Sequence, residues 1–251
     1  MNKRVLGVFA HPDDAEIFCG GTLALLHSAG WEIHIATMTA GDCGTRTHSR
    51  EDIRMIRKQE AKNAVALLNG MYHCLECDDV FILYDRETLL KGIRLMRDVK
   101  PAIVFTASPV DYIVDHEMTS AIVRTACFSC GMINIETPGV NVHTTVPYLY
   151  YVDPMEGKNI FGEAVKTDVI VDISTVMDTK VNMLSCHGSQ RDWLKEHHGI
   201  DEYIITMKRI AEAKGNEIHV KYAEGFRQHL GHGYPQNNIL KEILNDLVII
   251  N

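Results

Sequence analysis

The chain has no run of eighteen apolar residues, so its sequence offers no helix long enough to cross a bilayer. Its opening stretch, MNKRVLGVFAHPDD, lacks a long apolar core followed by a small-residue cleavage site, which points to a cytoplasmic protein. No GxGxxG and no GxxxxGKS/T follows a predicted strand, which sets aside a nucleotide-binding α/β protein. Positive charge is the scarcer sign, with 25 Lys plus Arg against 33 Asp plus Glu and a formal net charge of −8. Nucleic acid and anionic membranes both reward clustered positive charge, so neither is expected as the main partner. Repeats, low-complexity tracts and Pro/Gly/Ser-rich linkers are also missing. A single domain spanning 1–251 is therefore expected, and 46% hydrophobic residues suffice for a real core.

Cysteine is present, but in an odd number. Seven cysteines in a chain without an export signal imply reduced thiols rather than a disulfide framework. CLEC (74–77) and CFSC (127–130) resemble the halves of a four-cysteine zinc site, but 49 residues separate them. The second pair also lies on one face of a predicted helix. Buried small hydrophobes are the expected role.

What the chain does contain is alternation. RVLGVFA (4–10), EIHIATM (32–38) and PAIVFTA (101–107) read as strands. Between them lie a helical pattern stopping at Gly30, a long amphipathic helix over 49–70 and a helix near 86–98; Ser49 is placed to cap the second and Gly70 to end it. The pattern predicts an α/β, Rossmann-like fold with a mainly parallel sheet flanked by helices on both faces. Beyond residue 131, VPYLYYVD and TDVIVDI read as strands. A helix capped by Ser174 and two more, DEYIITMKRIAEAKG and NNILKEILNDL, make the C-terminal third helical.

In such sheets ligands bind beyond the carboxyl ends of the strands. After the first strand comes HPDD, after the second TAGDCGT, and after the strand ending near Ala107 comes SPVDYIVDHE. These ends direct His11, Asp13, Asp14, Asp42, Asp111, Asp115 and His116 towards one region. Each alone has a plain explanation, Asp13 or Asp14 as a helix cap and His116 as a polar residue opening a helix. Together, two neutral imidazoles and a carboxylate are what a catalytic zinc site uses, with a fourth position left for water.

HPDDAE after the first strand, TxGxxGT after the second, RxxEA in the next helix and a later DH opening a helix resemble the PIG-L/LmbE-like family of zinc-dependent de-N-acetylases. The resemblance runs from about residue 4 to 125, with weaker echoes near 171–190 and at 223–226. It implies an LmbE-like fold and hydrolysis of the amide of an N-acetylglucosamine-type sugar or related small conjugate. It also implies one zinc per chain (or another divalent transition metal), held by His11, Asp14 and His116, with Asp13 as general base. Relatives form trimers and hexamers, so a homo-oligomer is expected. A hydratase or another hydrolase on the same scaffold, or a non-catalytic metal- or sugar-binding protein, remains as the alternative.

One position departs from the family. Where many members read HPDH, with a histidine that assists the oxyanion, this chain reads IVDH and has Ile113. Tyr112 or His187, in CHGSQ, is placed to supply the missing donor, and Asp115 to orient a metal-bound imidazole. Arg57 and Glu60 match RxxEA. Arg57, Asp42 and Gln190 are candidate substrate contacts; for Arg57 a surface ion pair is the alternative, and for Asp42 a simple loop acid. His197, His198, His219, His229 and His232 lie in the C-terminal third, and His229 with His232 form either a second metal site or, with no carboxylate or cysteine nearby, a loop or oligomer contact.

Overall fold

Strand β1 (Arg4–Phe9) is buried along five of its six residues and feeds two cores at once. Side chains alternate across a strand, so Val5 and Phe9 enter one hydrophobic cluster while Leu6 and Val8 enter the other. A strand covered on both faces belongs at the centre of a parallel sheet. The computed structural model describes residues 2–191 and 202–251, and within them β1 pairs in parallel with β2 (Glu32–Thr39) on one side and β4 (Ile103–Thr106) on the other.

The remaining parallel members are β3 (Met71–Cys77) beside β2 and β5 (Tyr148–Val152) beside β4. The helices following the first four strands are α1 (Asp14–Ser28), α2 (Arg50–Ala66), α3 (Arg86–Val99) and α4 (Val114–Ser129). Residues of α1 join the first core and those of α3 and α4 the second, which covers both faces. Ser49 caps α2 as expected, its Oγ accepting from Asp52 N at 3.1 Å.

The C-terminal third is not simply helical. It holds α5 (Met177–Ser185), α6 (Glu202–Asn216) and α7 (Ile239–Leu244), but also β6 (Val169–Asp172), β7 (Ala223–Gln228) and β8 (Val248–Ile250). These three strands extend the sheet with antiparallel pairing, giving the order β3-β2-β1-β4-β5-β7-β6-β8. The sequence of β7, AEGFRQ, hides a strand because its buried positions include Glu224 and Gly225, which carry no hydrophobic signal. Ser174 also differs from expectation: it begins a short 3-10 turn without capping, and its Oγ donates to Tyr222 O at 3.4 Å. Among the described residues no helix is long and apolar enough to cross a membrane.

The chain order reverses at β1, which sits between β2 and β4. The carboxyl ends of β1, β2, β3 and β4 therefore open on one crevice, and the candidate residues lie there.

Candidate metal centre and active site

The turn from β1 into α1 is built by His11, Pro12 and Asp13. Proline disfavours helical backbone at the residue before it, so the helix starts after His11. The backbone N–H of His11 donates to Asp14 Oδ2 at 2.9 Å, folding the turn onto the first helical residue. Asp13 pays for the tightness with φ of 102°, a conformation an L-residue rarely adopts and one costing on the order of 1–3 kcal/mol. Such strain is retained where geometry matters.

From the opposite side α4 brings His116, almost wholly buried. Its Nε2 lies 3.4 Å from Asp14 Oδ2, and His11 Nδ1 lies 3.6 Å from the same oxygen. His11, Asp14 and His116 thus offer ligand atoms all within 4.8 Å of one another. Among the described residues His116 Nε2 has no hydrogen-bond partner, though it is buried. A buried polar atom left so costs about 1–3 kcal/mol, and a cation between these residues would satisfy it. Two imidazole nitrogens and a carboxylate suit zinc, so the residues present fit the group the family pattern implies.

The far nitrogen of each imidazole is held by carboxylates. His116 Nδ1 bonds to Asp111 Oδ2 at 2.9 Å; His11 Nε2 lies 3.3 Å from Asp115 Oδ2 and 3.2 Å from Asp79 Oδ1. Partners of this kind fix the ring orientation and tautomer of a metal ligand. Asp115 therefore stands behind His11, and its Oδ2 also accepts from Val80 N at 2.9 Å.

The charges respond to the crowding. Burial works to lower the pKa of His116, but the Asp14 charge and the Asp111 bond outweigh it and raise the group to about 10. Burial would raise Asp14, yet the charge of His116 and the bond from His11 hold it below the usual carboxylate range. Asp13 moves the other way: burial pushes it up, Arg57 pulls it down and Asp14 pushes it up again.

A cavity of about 540 Å³ opens over the cluster. Its lining mixes polar residues, among them His11, Asp13, Asp14, Arg57, Asp79 and Gln190, with apolar ones, among them Ile17, Ile113, Met155, Met207 and Ile210. Arg57 is buried, donating to Gly41 O at 2.8 Å and Pro12 O at 2.9 Å, with Nη2 3.5 Å from Asp13 Oδ2. It is no surface ion pair. Gly41 has φ of 66°, and a Cβ there would collide with this guanidinium, so the glycine loop is shaped around Arg57. Gln190 reaches back to Gly44 O at 3.0 Å. Glu60 accepts from Ser189 N and Oγ, both at 2.7 Å, tying α2 to the CHGSQ segment.

Of the two candidate donors, Tyr112 lines the cavity, with its ring edge-on to His116 at 5.5 Å, and is pushed up to about 12 by burial and neighbouring carboxylates. His187 is fully buried beside Glu16, Nε2 to Oε2 3.5 Å, and does not line the cavity. Asp42 is likewise outside the lining; its Oδ2 takes Arg54 Nε and Nη2 at 2.9 and 2.6 Å and Arg50 Nε at 3.1 Å. His229 packs between Tyr151, bonded at 3.0 Å, and Tyr234, and among the described residues neither it nor His232 belongs to a metal-ligating group. His197 and His198 lie outside the described residues. Cys127 and Cys130 are buried with free thiols, and neither CxxC pair joins a metal-ligating group among the described residues.

Tyr203 and Asp79 are polar cavity residues outside the quoted motifs. Tyr203, in the first turn of α6, donates its hydroxyl to Asp13 Oδ2. Asp79 lies two residues past the end of β3, and reading MYHCLEC as a strand would have exposed it by the same strand-end logic that found the others.

Comparison with known proteins shows what the chain is similar to. The family model for GlcNAc-PI de-N-acetylase (PIG-L) matches residues 6–127. The uncharacterized deacetylase YaiS of Escherichia coli is 31% identical over 148 residues, covering 55% of this chain and 76% of that protein. The chain belongs to the PIG-L/LmbE-like family of de-N-acetylases. Diacetylchitobiose deacetylase of Thermococcus kodakarensis is 26% identical across 90% of this chain and 82% of its own length. The 4-oxalmesaconate hydratase of Pseudomonas putida is 24% identical across 90% and 88%. Among solved structures, N,N'-diacetylchitobiose deacetylase of Pyrococcus horikoshii superposes with a TM-score of 0.78 at 26% identity, over 94% of this chain and 88% of that one.

Proposed function

We propose that the protein is a zinc-dependent hydrolase that removes an acetyl group from the nitrogen of an N-acetylglucosamine-type sugar or a related small conjugate. The observation that carries this reading is the meeting of His11, Asp14 and His116 beside Asp13, with His11, Asp13 and Asp14 lining a cavity. Family membership supports the reaction class, and the diacetylchitobiose deacetylases support the type of substrate.

His11, Asp14 and His116 would hold one zinc, which supplies a Lewis acid and makes water acidic enough to attack near neutral pH. Asp13 takes a proton from the attacking water at its carboxylate, and burial, by raising its pKa, suits it to that task. As the amide carbon becomes tetrahedral, the Tyr112 hydroxyl donates to the carbonyl oxygen in place of the histidine that Ile113 displaces. Asp13 then passes the proton to the departing nitrogen, and the C–N bond breaks to give acetate and a free amine. Arg57 and Gln190 hold the substrate's polar groups, while Asp42 anchors Arg54 and Arg50 instead of touching the substrate.

The test is metal content together with amine release. Purified protein carrying about one zinc per chain and freeing amine from N-acetylated sugars would support the reading; stoichiometric metal with no amine from any of them would sink it. A second reading, hydration of a carbon–carbon double bond, is favoured by the apolar Ile113 and the likeness to the hydratase of Pseudomonas putida. Loss of ultraviolet absorbance from an unsaturated dicarboxylate, without amine release, distinguishes it.

A further inference from the structure

We infer that Tyr203 is a positioning residue that locks the Asp13 carboxylate in one orientation and leaves Oδ1 to face the reacting water. The inference rests on the proposed role of Asp13 as base.

A carboxylate on a short side chain turns easily, because the terminal torsion of aspartate is broad and roughly two-fold. An unrestrained Asp13 would present either oxygen, or neither, to a water at the metal cluster. Two groups act on one of its oxygens. Tyr203 donates its hydroxyl to Oδ2, and Arg57 Nη2 lies 3.5 Å from that same atom. Among the described residues no hydrogen bond falls on Oδ1. Arg57 is itself fixed, since it also binds Gly41 O and Pro12 O at 2.8 and 2.9 Å. The Tyr203 bond is the closer of the two and comes from a different part of the chain, 190 residues on, whereas Arg57 sits on the helix after β2.

The same helix connects this restraint to the cavity. α6 begins at Glu202 and contributes Tyr203, Met207 and Ile210 to the lining. The contact that orients the base thus also ties α6, which lines the cavity, to the turn after β1. Holding a reacting group in a productive geometry removes a rotational search from the barrier, and loss of such a restraint is read in kcat.

The experiment compares the zinc-loaded wild type with Tyr203→Phe, Asp13→Asn and the double variant, measuring kcat, KM, bound zinc and urea unfolding midpoints. Tyr203→Phe is expected to lower kcat at least about tenfold. KM should stay within about twofold, since ground-state binding is untouched, and bound zinc should be unchanged. In the Asp13→Asn background the second change should lower kcat no further, and the midpoint shifts of the single variants should not add. A Tyr203→Phe enzyme with unaltered kcat, a loss appearing wholly in KM, or additive midpoint shifts would overturn the inference. If the wild type frees no amine from any N-acetylated sugar, the functional reading fails by itself. The unfolding midpoints still decide whether Tyr203 and Asp13 are coupled.

Discussion

Asp111 holds His116 from five residues upstream, its Oδ2 2.9 Å from the ring's Nδ1, and thereby turns Nε2 towards Asp14. The same Asp111 uses Oδ1 to accept from its neighbour Tyr112 N at 2.8 Å, so one side chain shapes both the loop and the imidazole. Asp111→Asn keeps the size of the group but loses its charge. It should weaken zinc affinity about 10–100-fold, the usual effect of removing a partner behind a metal ligand. Competition against a zinc-binding dye measures this, and an unchanged affinity would mean that Asp111 serves only the loop.

Asp13 is separable from the candidate metal ligands because its carboxylate points to Tyr203 and Arg57, while Asp14 faces the histidines. Asp13→Asn should reduce amine release by about 10²–10⁴-fold, the span of a lost general base. Bound zinc should match the wild type. Loss of metal along with activity would instead assign Asp13 to the ligand set.

The raised pKa of His116 makes a prediction for chelator-treated protein. Its ordinary value is 6.5 and its folded value about 10, with burial opposed and outweighed by Asp14 and Asp111. A group whose folded pKa is raised binds its proton more tightly in the native state. Its contribution to stability is therefore complete below pH 6.5 and is lost as pH climbs through about 10. His11, also raised against the pull of burial, acts in the same direction; Asp14, held low, titrates on the acid side of this window. Metal-free protein should lose stability between pH 7 and 10, while zinc affinity rises over that range because binding expels the imidazole proton. Thermal unfolding and metal titration at four or five pH values would check both trends. A flat stability profile would contradict the charge assignment.

The candidate site was legible in the sequence where it is local. His11, Asp13 and Asp14 sit within four residues of one another, and a strand followed by HPDD reveals them without any tertiary information. His116 and Asp115 were reachable because they follow another strand of the same parallel sheet. Asp79 was missed for a reason of the fold: β3 lies at the sheet edge with only two of its seven residues, Leu75 and Cys77, buried, so MYHCLEC reads as a cysteine pair rather than a strand. Tyr203 gave no local signal, since only packing of α6 carries it to Asp13. Asp42 shows the opposite failure, a strand-end acid whose charge is taken up by Arg54 and Arg50. The antiparallel extension was hidden likewise, because β7 spends its buried positions on Glu224 and Gly225.

That buried Glu224 yields the last prediction. Its carboxylate accepts from Gly21 N at 2.9 Å, Thr22 N at 2.7 Å and Thr22 Oγ1 at 2.6 Å, and it pairs with Lys180, whose Nζ donates to Ile17 O at 2.8 Å. Strand β7, helix α5 and the middle of α1 are thus joined by one ion pair that solvent scarcely reaches, its side chains 1% and 2% exposed. Removing one partner leaves the other charge buried and unpaired, so Lys180→Met should destabilise the fold by about 3–5 kcal/mol. Lys180→Met with Glu224→Gln removes both charges and keeps an amide oxygen for the α1 backbone, and should cost less than the single change. Urea unfolding of the three proteins measures the difference. A double variant less stable than Lys180→Met would show that the carboxylate's bonds to α1, rather than its pairing with Lys180, hold these elements together.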